Sequence, residues 1–184
     1  MEKWTLQKRE VIFASEYIEL VRDNVMTGNG VVIPDYYYIN TRPAVIVVAV
    51  DSELNMILKK EYRHPLREVL IELPAGTFEE YETDGLAVAK RELLEETGYV
   101  SEQWTCLGKC VESPSKTNTE ITIYLARDAQ KVSEQSLDIT EDIEFFKVPL
   151  DEAVDMCMHN TIRVNSSVNG ILKAAIIINT YKGE

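Results

Sequence analysis

The sequence predicts an α+β fold, with a small antiparallel β lobe over residues 1–42 ahead of a larger mixed domain over 43–184. Three observations carry this. From Trp4 to Tyr38 the chain is crowded with short runs of strand formers. Ala44-Val45-Ile46-Val47-Val48-Ala49-Val50 is an unbroken apolar run, as a strand buried on both faces requires. Two helical stretches follow, one rich in glutamate and closing at Gly98, the other near the C-terminus and rich in alanine and isoleucine.

In the lobe, Val11-Ile12-Phe13, Tyr17 to Val21 and Val31-Val32-Ile33 read as strands, with Gly28-Asn29-Gly30 as the turn between two of them. After the 44–50 run, Asp51 to Asn55 is a turn, and Met56-Ile57-Leu58 opens a strand that continues through Lys59, Lys60, Glu61, Tyr62 and Arg63. Val69 to Leu73 leads into Leu73-Pro74-Ala75-Gly76 and an acidic loop. Thr83 or Asp84 is the expected N-cap of the first helix, and Gly98 its left-handed stop. Strands are expected over Trp104 to Glu112 and Ile121 to Ala126, then a polar, mobile connection from Gln130 to Thr140, then a strand beginning near Ile143. Helices over Asp151 to Met158 and Val168 to Tyr181 close the chain, the second capped by Asn165-Ser166-Ser167.

Composition narrows the function. With 184 residues, 45% hydrophobic and 27% charged, the chain can bury a sizeable core. It carries no long apolar span and no basic-then-apolar leader, so neither membrane insertion nor secretion is expected. Three cysteines without a metal-type pattern suggest reduced, mostly buried thiols in a cytoplasmic protein. A net charge of −12 argues against a nucleic-acid binder. It also sits awkwardly with an anionic phosphate substrate unless bound cations intervene.

The helical run that follows Thr83 or Asp84 and ends at Gly98 holds the chemistry. Glu92, Glu95 and Glu96 share one face at helical spacing, where like charges repel and call for a cation. Arg91, four residues before Glu95, can pair with it but cannot neutralise all three. Hard divalent cations take such oxygens, and the Ala75 carbonyl can add one more. The plainer reading is an exposed acidic helix face. The ordered set decides against it: the apolar Pro/Gly segment, the acidic loop, Arg91-Glu92-Leu93-Leu94-Glu95-Glu96, then Thr97-Gly98-Tyr99.

This set resembles the Nudix hydrolase signature, G-x5-E-x7-R-E-U-x-E-E-x-G-U with U apolar. Gly76 and Glu82 match its front half and Arg91 to Tyr99 its back half, while eight residues rather than seven separate Glu82 from Arg91. The resemblance implies an α/β/α sandwich with a mixed sheet and a Mg²⁺ site (Mn²⁺ being possible) drawn from Ala75, Glu92, Glu95, Glu96 and Glu141. The run Tyr62-Arg63-His64-Pro65 through Leu70-Ile71-Glu72-Leu73-Pro74-Ala75-Gly76 looks like the segment that introduces the signature in ADP-ribose pyrophosphatases. Pro114, sixteen positions past Gly98, is a mark of the same branch, although Ser115 replaces its usual glycine.

The branch implies phosphate binding by Arg63, whose alternative is a strand residue paired with Glu61 or another acid. It also implies substrate contacts at Gly76, Pro114 and Glu120, and catalysis by Glu95 or Glu141 with Arg91 in support. The implied partner is a small nucleoside diphosphate compound, and the lobe is expected to exchange between subunits and build a homodimer, its alternative being to cap its own domain. The expected reaction is metal-dependent hydrolysis of ADP-ribose to AMP and ribose 5-phosphate. Another nucleoside diphosphate sugar, such as GDP-mannose, and a nucleotide-binding module without turnover are the alternatives.

Overall fold

A computed structural model describes residues 2–181. Two units can be separated, the first comprising Met1–Pro43 and Val111–Glu120, the second Ala44–Cys110 and Ile121–Glu184. In the first, strands β1 (Thr5–Ala14), β2 (Ile18–Met26) and β3 (Val32–Thr41) form an antiparallel sheet in chain order. The β2–β3 turn is closed by the Thr27 hydroxyl, which accepts from the Val31 amide, and by Gly30 at φ 84°. Among the described residues before Ala44, Val21 and Val25 are the only buried apolar side chains.

The second unit is built on β4 (Ala44–Val50), β5 (Asn55–Arg63), β6 (Glu68–Glu72) and β7 (Ala75–Thr77), then helix α1 (Gly85–Thr97). After α1 come β8 (Tyr99–Val100), β9 (Gln103–Val111), β10 (Glu120–Arg127), β11 (Gln130–Lys131) and β12 (Ile143–Pro149), and finally α2 (Leu150–Met158) and α3 (Asn165–Tyr181). The main sheet runs β12-β5-β4-β10-β9, with β6 on β5 and β7 on β4. It is mixed, because β4 and β10 pair in parallel while β5 is antiparallel to both β4 and β12.

The period of two in β4 divides the core. Ile46, Val48 and Val50 enter one cluster with Leu58, Leu125, Ile171 and their neighbours on α2 and α3. Val45, Val47 and Ala49 enter the other with Val88, Ala89 and Leu93 of α1. Helices thus cover both faces of the sheet, as an α/β/α sandwich requires. No helix among the described residues is long and apolar enough to cross a membrane.

Three local expectations are corrected. α3 starts at Asn165 rather than Val168, so the expected cap forms its first turn, and the Ser167 hydroxyl accepts from the Leu73 amide instead, at 3.1 Å. The stretch expected to be a mobile connection contains β11, which pairs with β8, and Ser136 donates its amide to the Glu95 carbonyl. All three thiols are free, but only Cys157 is buried, with Cys110 half-buried and Cys106 exposed.

Candidate active site

The turn after β6 is tied down on three sides. Leu73 donates to Ser167 of α3, the Pro74 carbonyl accepts from Val47 of β4 at 2.8 Å, and the Ala75 amide donates to Glu96 Oε2 of α1 at 2.9 Å. Helix α1 is held equally well at its two ends. Asp84 caps the helix by accepting from the Leu86 amide, and Gly98 stops it at φ 74°. A Cβ at either Gly98 or Gly76 would strike a neighbour, at Gly76 the Glu92 carboxylate itself. Gly76 is glycine because an acid lies directly against it.

On α1, Glu92 and Glu96 face the sheet and are buried, while the Glu95 side chain is about 40% exposed. Arg91 organises the acids around it. Its guanidinium donates to both oxygens of Glu82 at 3.0 Å, to Glu95 at 2.9 Å and to the Thr77 carbonyl at 3.4 Å. It also pairs with Glu92 at 2.9 Å. The extra residue between Glu82 and Arg91 therefore does not prevent the loop glutamate from gripping the helix arginine.

Burial pushes the Glu92 acid up to about 7; Arg91 opposes the shift and the nearby Glu96 and Glu95 charges add to it. Burial raises Glu96 to about 7 as well, against Lys59 and the Ala75 amide. Glu96 lies against the ammonium of Lys59, a lysine 1% exposed on β5. Burial by itself would lower the Lys59 pKa, but Glu96 and Glu61 outweigh it and the net shift is upward.

Arg63 sits at the far end of the same strand. It donates to Glu72 through Nε at 2.9 Å and Nη2 at 2.6 Å, and to Glu61 through Nη1 at 2.7 Å. The sequence alternative of an arginine paired with Glu61 or another acid is what these bonds display. The exposed Glu141 turns its carboxylate back onto its own loop, accepting from the Asp138 amide at 3.0 Å. Pro114 and Glu120 fall in the first unit.

The donor set suits a hard divalent cation: clustered carboxylates, two of them buried, beside a backbone turn kept open by Gly76. Among the described residues no three metal-type side chains converge on one point. Arg91 engages Glu82, Glu92 and Glu95, and Lys59 engages Glu96.

A NUDIX domain model matches residues 40–165. The chain belongs to the Nudix family. The matched Nudix region takes in the loop, α1 and every strand of the main sheet. A methanol dehydrogenase activator of Bacillus methanolicus is 32% identical over 162 residues, covering 88% of this chain and 86% of its own. An ADP-ribose pyrophosphatase of Bacillus subtilis is 32% identical over 157 residues, covering 85% and 83%. A solved structure described as an ADP compounds hydrolase superposes with a TM-score of 0.83 at 22% identity, over 98% of this chain and 97% of that one, and supports the Nudix fold alone.

Sequence reasoning missed Lys59 and the anchoring of Arg63 by Glu72. A lysine on the α1 side of a buried strand, following Ile57 by two, was the available signal for the first.

Proposed function

We propose that this Nudix protein is a metal-dependent pyrophosphohydrolase acting on a nucleoside diphosphate joined to a second group, with ADP-ribose, cleaved to AMP and ribose 5-phosphate, as its substrate. The observation that carries the reaction class is buried Glu92 and Glu96 on one helix face against the Gly76 turn, with Arg91 gathering the acids around them. Similarity to the Bacillus subtilis ADP-ribose pyrophosphatase over 85% of the chain supports the substrate.

Glu92 and Glu96, with Glu95, Glu141 and the Ala75 carbonyl as further donors, would hold Mg²⁺, with Mn²⁺ as the substitute. Such a cation, when bound, polarises phosphoryl oxygens and lowers the pKa of a bound water. The remaining work falls to the chain. Arg91 holds the partly exposed Glu95 carboxylate at 2.9 Å, and Glu95 or Glu141 takes the proton of the attacking water. Arg63 offers a planar guanidinium, about 39% exposed, for a phosphate that replaces one of its carboxylate partners. Free thiols fit a cytoplasmic setting. The apolar lobe, whose exposed side chains include Val11 and Phe13, supports a homodimer.

The test is phosphate-ester release from ADP-ribose, GDP-mannose, UDP-glucose and dinucleoside polyphosphates, with Mg²⁺ and with chelator. Turnover strongest on ADP-ribose and lost in chelator is expected. Preference for another member would move the substrate, and nucleotide binding without turnover on any of them would overturn the enzymatic reading.

A further inference from the structure

Lys59 is a costly residue to place where it stands. On β5, Met56 and Leu58 pack toward α2 and α3, while Ile57 packs toward α1. Two positions after Ile57, Lys59 projects to the α1 side with 1% of its surface exposed. Taking an ammonium out of water is strongly unfavourable unless carboxylates meet it. Two do: Glu96 of α1 is in contact, and Glu61 Oε2 lies 2.9 Å away. The other Glu61 oxygen accepts from Arg63, and Arg63 is gripped in turn by Glu72. Five alternating charges thus run from α1 to the end of β6: Glu96, Lys59, Glu61, Arg63, Glu72.

A methionine would fill the same space without the desolvation cost, so packing does not account for the lysine. What the ammonium does is occupy Glu96, one of the two buried acids proposed to hold the divalent ion. Two cations competing for one buried carboxylate weaken each other's binding. Glu61, already 2.9 Å from the ammonium, gives Lys59 a carboxylate to keep when Glu96 is taken.

Building on the proposed metal-dependent reaction, we propose that Lys59 is a resident competitor cation: it holds Glu96 in the free protein and withdraws toward Glu61 when a divalent ion takes that carboxylate. Lys59 is a positioning residue in this scheme, because it acts through Glu96. It keeps the free protein's affinity for divalent ions low. Glu61, which already pairs with both Lys59 and Arg63, keeps the ammonium neutralised when Glu96 is taken.

The experiment is a calorimetric titration of the full chain with Mn²⁺, in the absence of nucleotide, for wild type, Lys59→Met and Glu61→Gln. Thermal unfolding is followed with and without Mn²⁺. Lys59→Met is expected to bind Mn²⁺ at least about tenfold tighter and to gain more thermal stability from it than wild type. Glu61→Gln, which removes that carboxylate, is expected to bind Mn²⁺ more weakly than wild type. Lower thermal stability of Lys59→Met, with Mn²⁺ affinities of both variants equal to that of wild type, would show that the ammonium and the divalent ion do not compete for Glu96. That result would overturn the proposal. Should Lys59→Met not fold, Glu61→Gln decides alone, since unchanged or tighter Mn²⁺ binding there also overturns it. ADP-ribose turnover by wild type, measured in parallel, separates the two claims. Turnover with unaltered Mn²⁺ affinities in the variants removes Lys59 but keeps the enzyme, whereas the expected affinity pattern without turnover keeps Lys59 and removes the enzyme.

Discussion

Glu92 is an acid whose surroundings work against its charge, and that has a measurable consequence. Its folded pKa, about 7, lies above its ordinary value of 4.5. Between those values the folded chain holds a proton that the unfolded chain has released, so stability is lost as pH rises through this window and levels off above it. Glu96 shifts in the same direction and deepens the loss. In chelator, thermal midpoints measured from about pH 4.5 to 7.5 are expected to fall, each acid removing at most about 1.4 kcal/mol of stability for every pH step of one across the window. Glu92→Gln should flatten the fall, and saturating Mg²⁺ should reverse much of it; a midpoint rising with pH in chelator would contradict the assignment. Gly76→Ala tests the same acid sterically, because the new methyl would strike the Glu92 carboxylate. Turnover is expected to drop about a hundredfold, as small misplacements of reacting groups do, with a modest change in thermal midpoint. Unchanged turnover would show that the carboxylate position is unimportant. Helical spacing made Glu92 and Glu96 legible in sequence, since a 3.6-residue period is local information. Lys59 was not legible, because its importance lies in a contact with Glu96 across 37 positions of chain.

At the scale of elements, α1 was the most readable because both its ends are written in side-chain chemistry. Asp84 accepts from the Leu86 amide, and Gly98 takes the left-handed conformation while its amide bonds the Leu94 carbonyl. Asp84→Ala is expected to cost about 1 kcal/mol in urea unfolding, with the denaturant slope unchanged. No loss of stability would mean that the helix start is held by its packing on β4 and β7 rather than by its cap. α3 shows the opposite case. Asn165-Ser166-Ser167 has the chemistry of a cap, yet the helix begins at Asn165 and the Ser167 hydroxyl is recruited by the Leu73 amide, 94 positions away. A local rule gave way to a buried backbone amide that needed an acceptor. The two-residue strand Gln130–Lys131 escaped for a different reason: it is too short to display a period, and its partner Tyr99–Val100 is equally short.

At the scale of the molecule, the apolar run of β4 announced a strand covered on both faces, but not its parallel partner β10, because strand pairing over such a separation leaves no local trace. Nor could sequence order show that Val111–Glu120 groups with the N-terminal strands. That lobe poses the remaining problem of burial. β1 is an edge strand of a three-stranded sheet, and Leu6, Val11, Ile12 and Phe13 on it are all exposed. Edge strands left in water are normally charged or covered, and an apolar one invites another chain. A second copy of this chain is the occupant that the proposed homodimer supplies. Sedimentation velocity should therefore show a dimer for wild type at micromolar concentration, and Val11→Glu combined with Phe13→Glu should shift it to monomer. The second unit keeps its own core in that variant, so its thermal transition should survive the loss of the dimer. A wild-type protein that sediments as a monomer throughout would mean that the lobe's apolar strand serves something other than self-association.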